Sequence, residues 1–133
     1  DENDIHIEVK GSLSLLSQMD TPDCSALMAN IIDNAIEANV NVTGERYIKI
    51  SAAENPGSLM ILVENSMSGE AKFDGDKLIS TKQDRDSAHG IGTVNIKKIV
   101  DKYHGECQME SGDGIFVVRI ILPFVAKNDR SSQ

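Results

Sequence analysis

Two short stretches of this chain carry groups that could do chemistry on a nucleotide. In the run 89–92, Gly90 and Gly92 open a predicted helix after a long polar segment. Upstream, Asn30 and Asn34 lie one helical turn apart. Helix N-termini bind anions through free N–H groups, and glycines allow close approach. Because a carboxamide oxygen can hold Mg²⁺ beside phosphate oxygens, the two stretches together indicate a nucleotide site.

Each stretch also has an ordinary interpretation. A glycine pair can be a flexible helix entrance, and a row of asparagines can be a solvent-facing stripe. At 100° per residue, Asn30, Asn34, Glu37 and Asn41 share one arc of the helix. The opposite side is apolar and consists of Leu27, Met28, Ile31, Ile32, Ala35 and Ile36. Asparagine is a poor helix former, so its repetition on one face needs a reason, but the helix pattern alone favours the solvent-facing stripe over a metal-binding role.

Composition limits what such a site can belong to. A chain of 133 residues with 40% hydrophobic content fits one domain, residues 1–125, with a polar tail at 126–133. Aromatic residues make up 4%, which offers no stacking platform, and a net charge of -8 opposes a nucleic-acid partner. Two cysteines are too few for a disulfide scaffold or a zinc site. No apolar run approaches membrane-spanning length, so we expect no direct membrane contact from this chain.

Periodicity and turn residues predict the secondary structure. Strands are predicted at 5–9, 46–53, 58–64, 106–111 and 114–122, and helices at 21 to about 39 and at 90–104. Thr21 is the predicted cap of the first helix, with Pro22 at its first position. Residues 65–89 have no sustained periodicity, which is typical of a lid or binding loop.

The order of these elements predicts the architecture. Strand, helix, two strands, loop, helix and two strands follow one another, with mostly hairpin connections. That order favours an α/β fold, a two-layer sandwich in which a mixed, mostly antiparallel sheet carries its helices on one face.

Four short motifs then converge on one family. Asn30-x-x-x-Asn34-Ala35, Val63-Glu64-Asn65-Ser66, Ser80-Thr81-Lys82 and His89-Gly90-Ile91-Gly92 resemble, in order and spacing, the N, G1, lid and G2 boxes of the GHKL ATP-binding superfamily. The resemblance extends over residues 5–123 and implies the Bergerat ATP-binding fold. Asp33-Asn34-Ala35 with Glu64-Asn65-Ser66 looks most like the peptide-pheromone sensor histidine kinases of Gram-positive bacteria, the AgrC type, which act in quorum sensing.

The resemblance implies a role for each matching residue. Asn34 is implied to bridge Mg²⁺, and Asn65 to accept a hydrogen bond from the adenine amino group. An Asn at this position can also rotate and present its NH₂ group, so weaker base discrimination is expected than with the Asp of most members. The implied ATP-binding set is Asn30, Asn34, Asn65, Lys82, Arg85, His89, Gly90, Ile91 and Gly92, with Asn30, Asn34 and Lys82 as catalytic members and Asn34 as metal ligand.

Three positions depart from the family pattern. Hydrolysing members carry a general-base Glu where this chain has Asn30, whose amide is not a useful base. Met67 replaces the first glycine of the usual Asp-x-Gly-x-Gly motif, so the adenine loop is expected to pack differently. Glu37 stands where many histidine kinases have Lys, which puts a phosphate contact there in doubt.

The resemblance implies the ATP- and Mg²⁺-binding catalytic domain of a sensor histidine kinase. Such a domain transfers the γ-phosphoryl group to a histidine on a separate dimerisation domain of the same full-length kinase, with a response regulator as indirect partner. A cytoplasmic location is expected, as the cytoplasmic part of a membrane-bound sensor. Two alternatives stay open: an anti-sigma-factor serine kinase with the same ATP fold, and a nucleotide-binding regulatory module without catalysis.

The Asn pair on the first helix predicts Mg²⁺-dependent ATP binding with very slow hydrolysis, because Asn30 cannot activate water. We expect turnover well below about 1 s⁻¹. Asn34→Ala should remove the metal dependence of ATP affinity without loss of fold, whereas Asn41→Ala, on the same arc, should change neither. Calorimetric titration with and without Mg²⁺ checks this. Survival of the metal dependence in Asn34→Ala would show that the Asn stripe is only surface.

Overall fold

Five strands pair into one mixed sheet in a computed structural model, which describes residues 4–68, 72–74, 77–79 and 91–125. The elements in chain order are β1 (His6–Lys10), a short 3-10 helix (Ser14–Gln18), α1 (Thr21–Ala38), β2 (Tyr47–Asn55), β3 (Ser58–Ser66), β4 (Lys72–Asp74), β5 (Lys77–Ile79), α2 (Ile91–Lys102), β6 (Glu106–Gly112) and β7 (Ile115–Leu122). This architecture confirms the predicted α/β fold.

The sheet has the order β1-β2-β3-β7-β6. Its first pair, β1 with β2, is parallel, so α1 is the crossover between them, and the other pairs are antiparallel. The two hairpins of this sheet, β2–β3 and β6–β7, turn where the sequence predicts. Gly57 has a φ of 82°, and Asp113 and Gly114 have φ values of 55° and 79°, the left-handed conformations that tight hairpin turns require.

The core lies between the sheet and the two helices. Alternate residues of the central strands are buried on the helical side, and α1 and α2 cover them. The buried members from helices and central strands are Leu27, Ile31, Ala35, Ile96, Val100, Ile48, Ile50, Leu59, Ile61, Val63, Phe116, Val118, Ile120 and Leu122. Burying one large aliphatic side chain contributes about 1.5 to 3 kcal/mol, so this layer dominates the stability. Neither α1 nor α2 combines the length and apolar character that crossing a membrane requires.

The structure corrects three details of the predicted elements. Asp20, not Thr21, is the N-cap of α1, and its side chain makes no capping hydrogen bond. Ile36, assigned to the apolar side of α1, is 41% exposed. The segment predicted to lack regular structure contains the paired strands β4 and β5, and most of its other residues lie outside the described ones. The role of this segment as a lid or binding loop stays a prediction.

A polar cluster joins the start of α1 to the end of α2. The Tyr103 hydroxyl donates to the Asp23 carboxylate at 2.5 Å and accepts from the Asp20 N–H at 3.0 Å. Lys102 Nζ lies 2.8 Å from the same carboxylate. The hydrogen bond from Lys102, followed by that from Tyr103, lowers the pKa of Asp23 below its ordinary value. The cluster therefore holds together the two helices that carry the candidate site.

The lowered pKa of Asp23 predicts an acid-sensitive contribution to stability. A carboxyl group with a lowered folded-state pKa stabilises the fold above its ordinary value of about 4, and this contribution disappears as pH falls through the lowered pKa. Asp23→Asn should therefore lower Tm at pH 7 and match the wild type in strong acid, as followed by circular dichroism. The exposed Asp33 on the same helix supplies the control, Asp33→Asn. An equal Tm deficit for Asp23→Asn at every pH would contradict the ionic contribution.

Candidate functional site

Asn65, near the end of β3, is fully buried on the helical side of the sheet. Its Nδ2 donates to the Ser66 carbonyl oxygen at 2.8 Å. Its Oδ1 has no hydrogen-bond partner among the described residues, which makes it a buried acceptor without a donor. Leaving a buried polar atom unpaired costs about 1 to 3 kcal/mol. A ligand N–H group would remove that cost, so the residue fits recognition of a base that carries an amino group.

A buried hydrogen-bond network connects this strand end to the end of α1. The Ser66 hydroxyl donates to Asn39 Oδ1, and it accepts the backbone N–H of Tyr47 at 2.9 Å. Asn39, the C-cap residue of α1, donates from Nδ2 to the Ala35 carbonyl oxygen at 3.0 Å. Ser66 and Asn39 are 5% and 1% exposed. The network therefore fixes where the Asn65 backbone stands relative to α1.

The asparagines of α1 are not a solvent-facing stripe. Asn34 is only 7% exposed and Asn30 is half-buried, so that interpretation fails for both. It holds for Glu37, which is exposed, while Asn41 lies beyond the last residue of the helix. The Asn34 carboxamide therefore lies on the part of α1 that the fold encloses. Its oxygen is available there as a ligand for a metal ion.

The first turns of α2 pack against Asn30. Asn30 donates from Nδ2 to the Ala26 carbonyl oxygen at 2.7 Å, and its Oδ1 lies 3.5 Å from Asn95 Nδ2. A Cβ added to Gly92 would meet the backbone oxygen and Oδ1 of Asn30, both at 3.5 Å. The structure thus brings together Asn30 and Gly92, and it adds Asn95, which sequence reasoning missed. Its position, one turn after Gly92 on the same helix face, was the available signal.

The N-terminus of α2 is suited to an anion. The helix has 12 residues, and no acidic residue lies in its first turn. No side chain of that turn therefore places a negative charge beside the positive end of the helix dipole or the first backbone N–H groups. This is the end of α2 that contacts Asn30.

Several predicted site residues are not described. Lys82, Arg85, His89 and Gly90 lie outside the described residues, and for Ile91 only the backbone at the start of α2 is described. Their implied contacts with phosphate remain predictions. The described part of the predicted site is therefore Asn30, Asn34, Asn65 and Gly92.

The structure explains two residues next to Asn65. Glu64 points to the uncovered face of the sheet, away from the site, because successive strand residues point to opposite faces. There it accepts a hydrogen bond from the Tyr47 hydroxyl at 2.7 Å, and burial followed by this bond raises the pKa of Tyr47 to about 12. Met67 is 4% exposed, and its N–H donates to the Gly114 carbonyl oxygen at 2.8 Å. The residue that replaces the expected glycine is therefore a core residue.

The residues present fit a metal shared with a phosphate rather than a metal caged by the protein. Within the described ranges, no three His, Cys, Asp or Glu side chains are grouped for a metal. Mg²⁺ usually takes one or two protein oxygens together with substrate phosphates and water. Asn34 on α1 would supply such an oxygen.

Solved structures of histidine kinases share this fold. The catalytic domain of histidine kinase ThkA superposes with a TM-score of 0.65 at 22% identity, covering 93% of this chain and 81% of that one. The mycobacterial sensor histidine kinase MprB gives a TM-score of 0.65 at 16% identity, covering 93% and 85%. At these identities the likeness establishes the fold.

Sequence comparison establishes the family. The model of the GHKL domain matches residues 19–123, and the chain belongs to this family. The sensor histidine kinase DpiB of Escherichia coli (strain K12) is 28% identical over 128 residues. The match covers 89% of this chain and 23% of DpiB, so the chain spans about a quarter of that relative's length. The narrower resemblance to peptide-pheromone sensors stays a prediction.

A substitution at Gly92 tests whether phosphate approaches α2 without disturbing the fold. An added Cβ there makes only ordinary contacts with Asn30, and Ala favours a helix over Gly by roughly 0.5 to 1 kcal/mol. We expect Gly92→Ala to keep or raise Tm while weakening ATP binding about tenfold, a loss of about 1.4 kcal/mol. Gly112→Ala, whose Cβ would meet nothing within 4 Å, is the matched control for calorimetry. Unchanged ATP affinity in Gly92→Ala would place the phosphates elsewhere.

Proposed function

We propose that the chain is the ATP-binding catalytic domain of a sensor histidine kinase. It holds ATP with Mg²⁺ and delivers the γ-phosphoryl group to a histidine on a separate helical dimerisation domain of the same full-length kinase. Membership in the GHKL family, the fold shared with histidine kinase catalytic domains and the relative DpiB support this proposal.

The observation that carries the proposal is the unpartnered Oδ1 of Asn65. It is a fully buried acceptor that lacks a donor among the described residues. The 6-amino group of adenine supplies a donor of the required kind. A water molecule could satisfy the same atom, but a nucleotide would also use the contact between Asn30 and Gly92 and the enclosed Asn34 carboxamide.

The chemistry assigned to this site is positioning and charge stabilisation, which suffice for phosphoryl transfer. Bound Mg²⁺ would neutralise phosphate charge, with Asn34 as its protein ligand. The first N–H groups of α2 bind phosphate oxygens, and Gly92, with Gly90, allows the close approach. Lys82, Arg85 and His89 add contacts from the preceding segment. Asn30 orients groups without taking a proton, so water is not activated and ATP is kept for transfer.

The transfer requires a second domain. The P–O bond between the γ-phosphorus and ADP breaks, a P–N bond forms to the acceptor imidazole, and ADP leaves. The phosphohistidine then serves a response regulator, the indirect partner. We place the domain in the cytoplasm, as the cytoplasmic part of a membrane-bound sensor. The AgrC-type resemblance adds a peptide pheromone as the class of signal.

Phosphotransfer distinguishes this proposal from its alternatives. The chain is incubated with γ-labelled ATP, Mg²⁺ and the helical dimerisation domain of its kinase. Label on the helical domain that is lost in acid and stable in base is expected, because phosphohistidine has a labile P–N bond. Asn34→Ala should abolish the label, and Asn41→Ala should keep it.

The other outcomes identify the alternatives. Acid-stable label on a serine of an added protein substrate would indicate a serine kinase of the anti-sigma-factor type. ATP binding without label on any helical domain would indicate a regulatory module without catalysis. In that case, the altered G1 motif, in which Met67 packs into the core, would be one reason for the missing transfer. Absence of ATP binding would refute the proposal itself.

A further inference from the structure

We infer that Ser66 and Asn39 are positioning residues that lock the Asn65 carboxamide in the orientation that presents its oxygen to the base. This lock makes the site selective for a 6-aminopurine over a 6-oxopurine. The inference rests on the proposed nucleotide site and concerns how that site reads the base.

A hydrogen bond to Ser66 sets the orientation of the Asn65 side chain. A carboxamide can present either an acceptor or two donors, so a free Asn can bind either kind of base. Here Nδ2 is already used, because it donates to the Ser66 carbonyl oxygen at 2.8 Å. A 180° rotation would break this bond and place Oδ1 against that carbonyl oxygen, acceptor against acceptor. The side chain therefore acts as an acceptor only.

Ser66 is itself anchored by buried hydrogen bonds. Its hydroxyl donates to Asn39 Oδ1 and accepts the Tyr47 N–H at 2.9 Å. Asn39 is held in turn by donating to Ala35 at 3.0 Å. Ser66 and Asn39 are nearly inaccessible, so water cannot readily replace either partner. The hydroxyl bonds hold the Ser66 residue in place, and the peptide that carries its carbonyl is held as well, because the Met67 N–H donates to the Gly114 carbonyl oxygen at 2.8 Å.

The fixed Asn65 oxygen determines which base the site accepts. A 6-amino group donates to the fixed Oδ1, whereas the 6-carbonyl of guanine would face it as a second acceptor. Discrimination is therefore expected to be stronger than the sequence alone predicts, where the amide is expected to rotate. Asn65→Asp should not sharpen selectivity, because one carboxylate oxygen would be forced against the Ser66 carbonyl oxygen.

The experiment measures the ratio of Kd for GTP to Kd for ATP by calorimetry with Mg²⁺. Asn65→Ala should lower this ratio about tenfold, which corresponds to about 1.4 kcal/mol. Ser66→Ala and Asn39→Ala should each lower it by about three- to tenfold, mainly by improving GTP binding. Asn65→Asp should weaken ATP binding. The controls are Ser58→Ala, a serine at the other end of the same strand, and Asn55→Ala, an exposed asparagine.

A double variant separates positioning from general destabilisation. If Ser66 acts through Asn65, adding Ser66→Ala to Asn65→Ala should leave the ratio unchanged. Loss of stability alone would weaken both nucleotides and leave the ratio constant in every background.

The outcomes distinguish this inference from the proposed function. If Asn65→Ala lowers the ratio but Ser66→Ala and Asn39→Ala do not, the lock is refuted and the nucleotide site stands. If Asn65→Ala leaves the ratio unchanged, both the lock and the reading of adenine by Asn65 are refuted. Should a variant fail to fold, the wild type still gives a test by NMR. The Asn65 side-chain amide should be rigid and protected from exchange before nucleotide is added, and a freely rotating, unprotected amide would overturn the lock.

Discussion

The packing of α1 against the sheet is the constraint on which the described part of the site depends. Leu27, Ile31 and Ala35 form a completely buried stripe with a spacing of four residues. That stripe fixes the rotation of the helix, because turning it would expose Leu27 and Ile31, whose burial contributes about 1.5 to 3 kcal/mol each. Asn30 and Asn34 each precede a member of the stripe. Their direction toward α2 and the enclosed region is therefore set by hydrophobic burial, a larger effect than any hydrogen bond they make.

Burial fixes the rotation of α1 but allows the helix to slide along its axis, and polar contacts at its two ends prevent this. At the N-terminal end, Asp23 binds Tyr103 and Lys102 from the end of α2. At the C-terminal end, Asn39 binds Ser66 from the end of β3. Hydrogen bonds are directional and lose strength steeply when misaligned, so two such contacts about 16 residues apart hold the helix in one place. The Asn65 end and the α2 end of the proposed site thereby keep a constant separation.

The elements could be predicted because their signals are local. Alternation, helical spacing and turn residues such as Gly57 act within a few positions, and the structure reproduces the strands and helices they predict. The mixed sheet was predicted, but the sequence did not assign its parallel pair, β1 with β2, because alternation specifies a buried face and not a partner strand. Ile36 was misassigned because a helical wheel does not show how far the sheet extends beneath the helix. The contact between Asn39 and Ser66 joins positions 27 apart, which no local pattern encodes.

Asn30 and Asn65 are amides at positions where the family resemblance leads one to expect acids. This difference changes the charge of the site and the orientation that its side chains require. A neutral side chain loses less on burial than a carboxylate does and does not repel a triphosphate, which matters in a chain with a net charge of -8. A carboxylate, however, is an acceptor from either oxygen and needs no fixed orientation, whereas an amide with the wrong rotation presents a donor. An amide that reads the base must therefore be held by a neighbour that accepts its N–H. The Ser66 carbonyl accepts the Asn65 amide in β3, and the buried bond from the Ser66 hydroxyl to Asn39 is the anchor that we infer for it. In the proposed site, the uncharged Asn65 side chain and its polar anchor thus depend on each other.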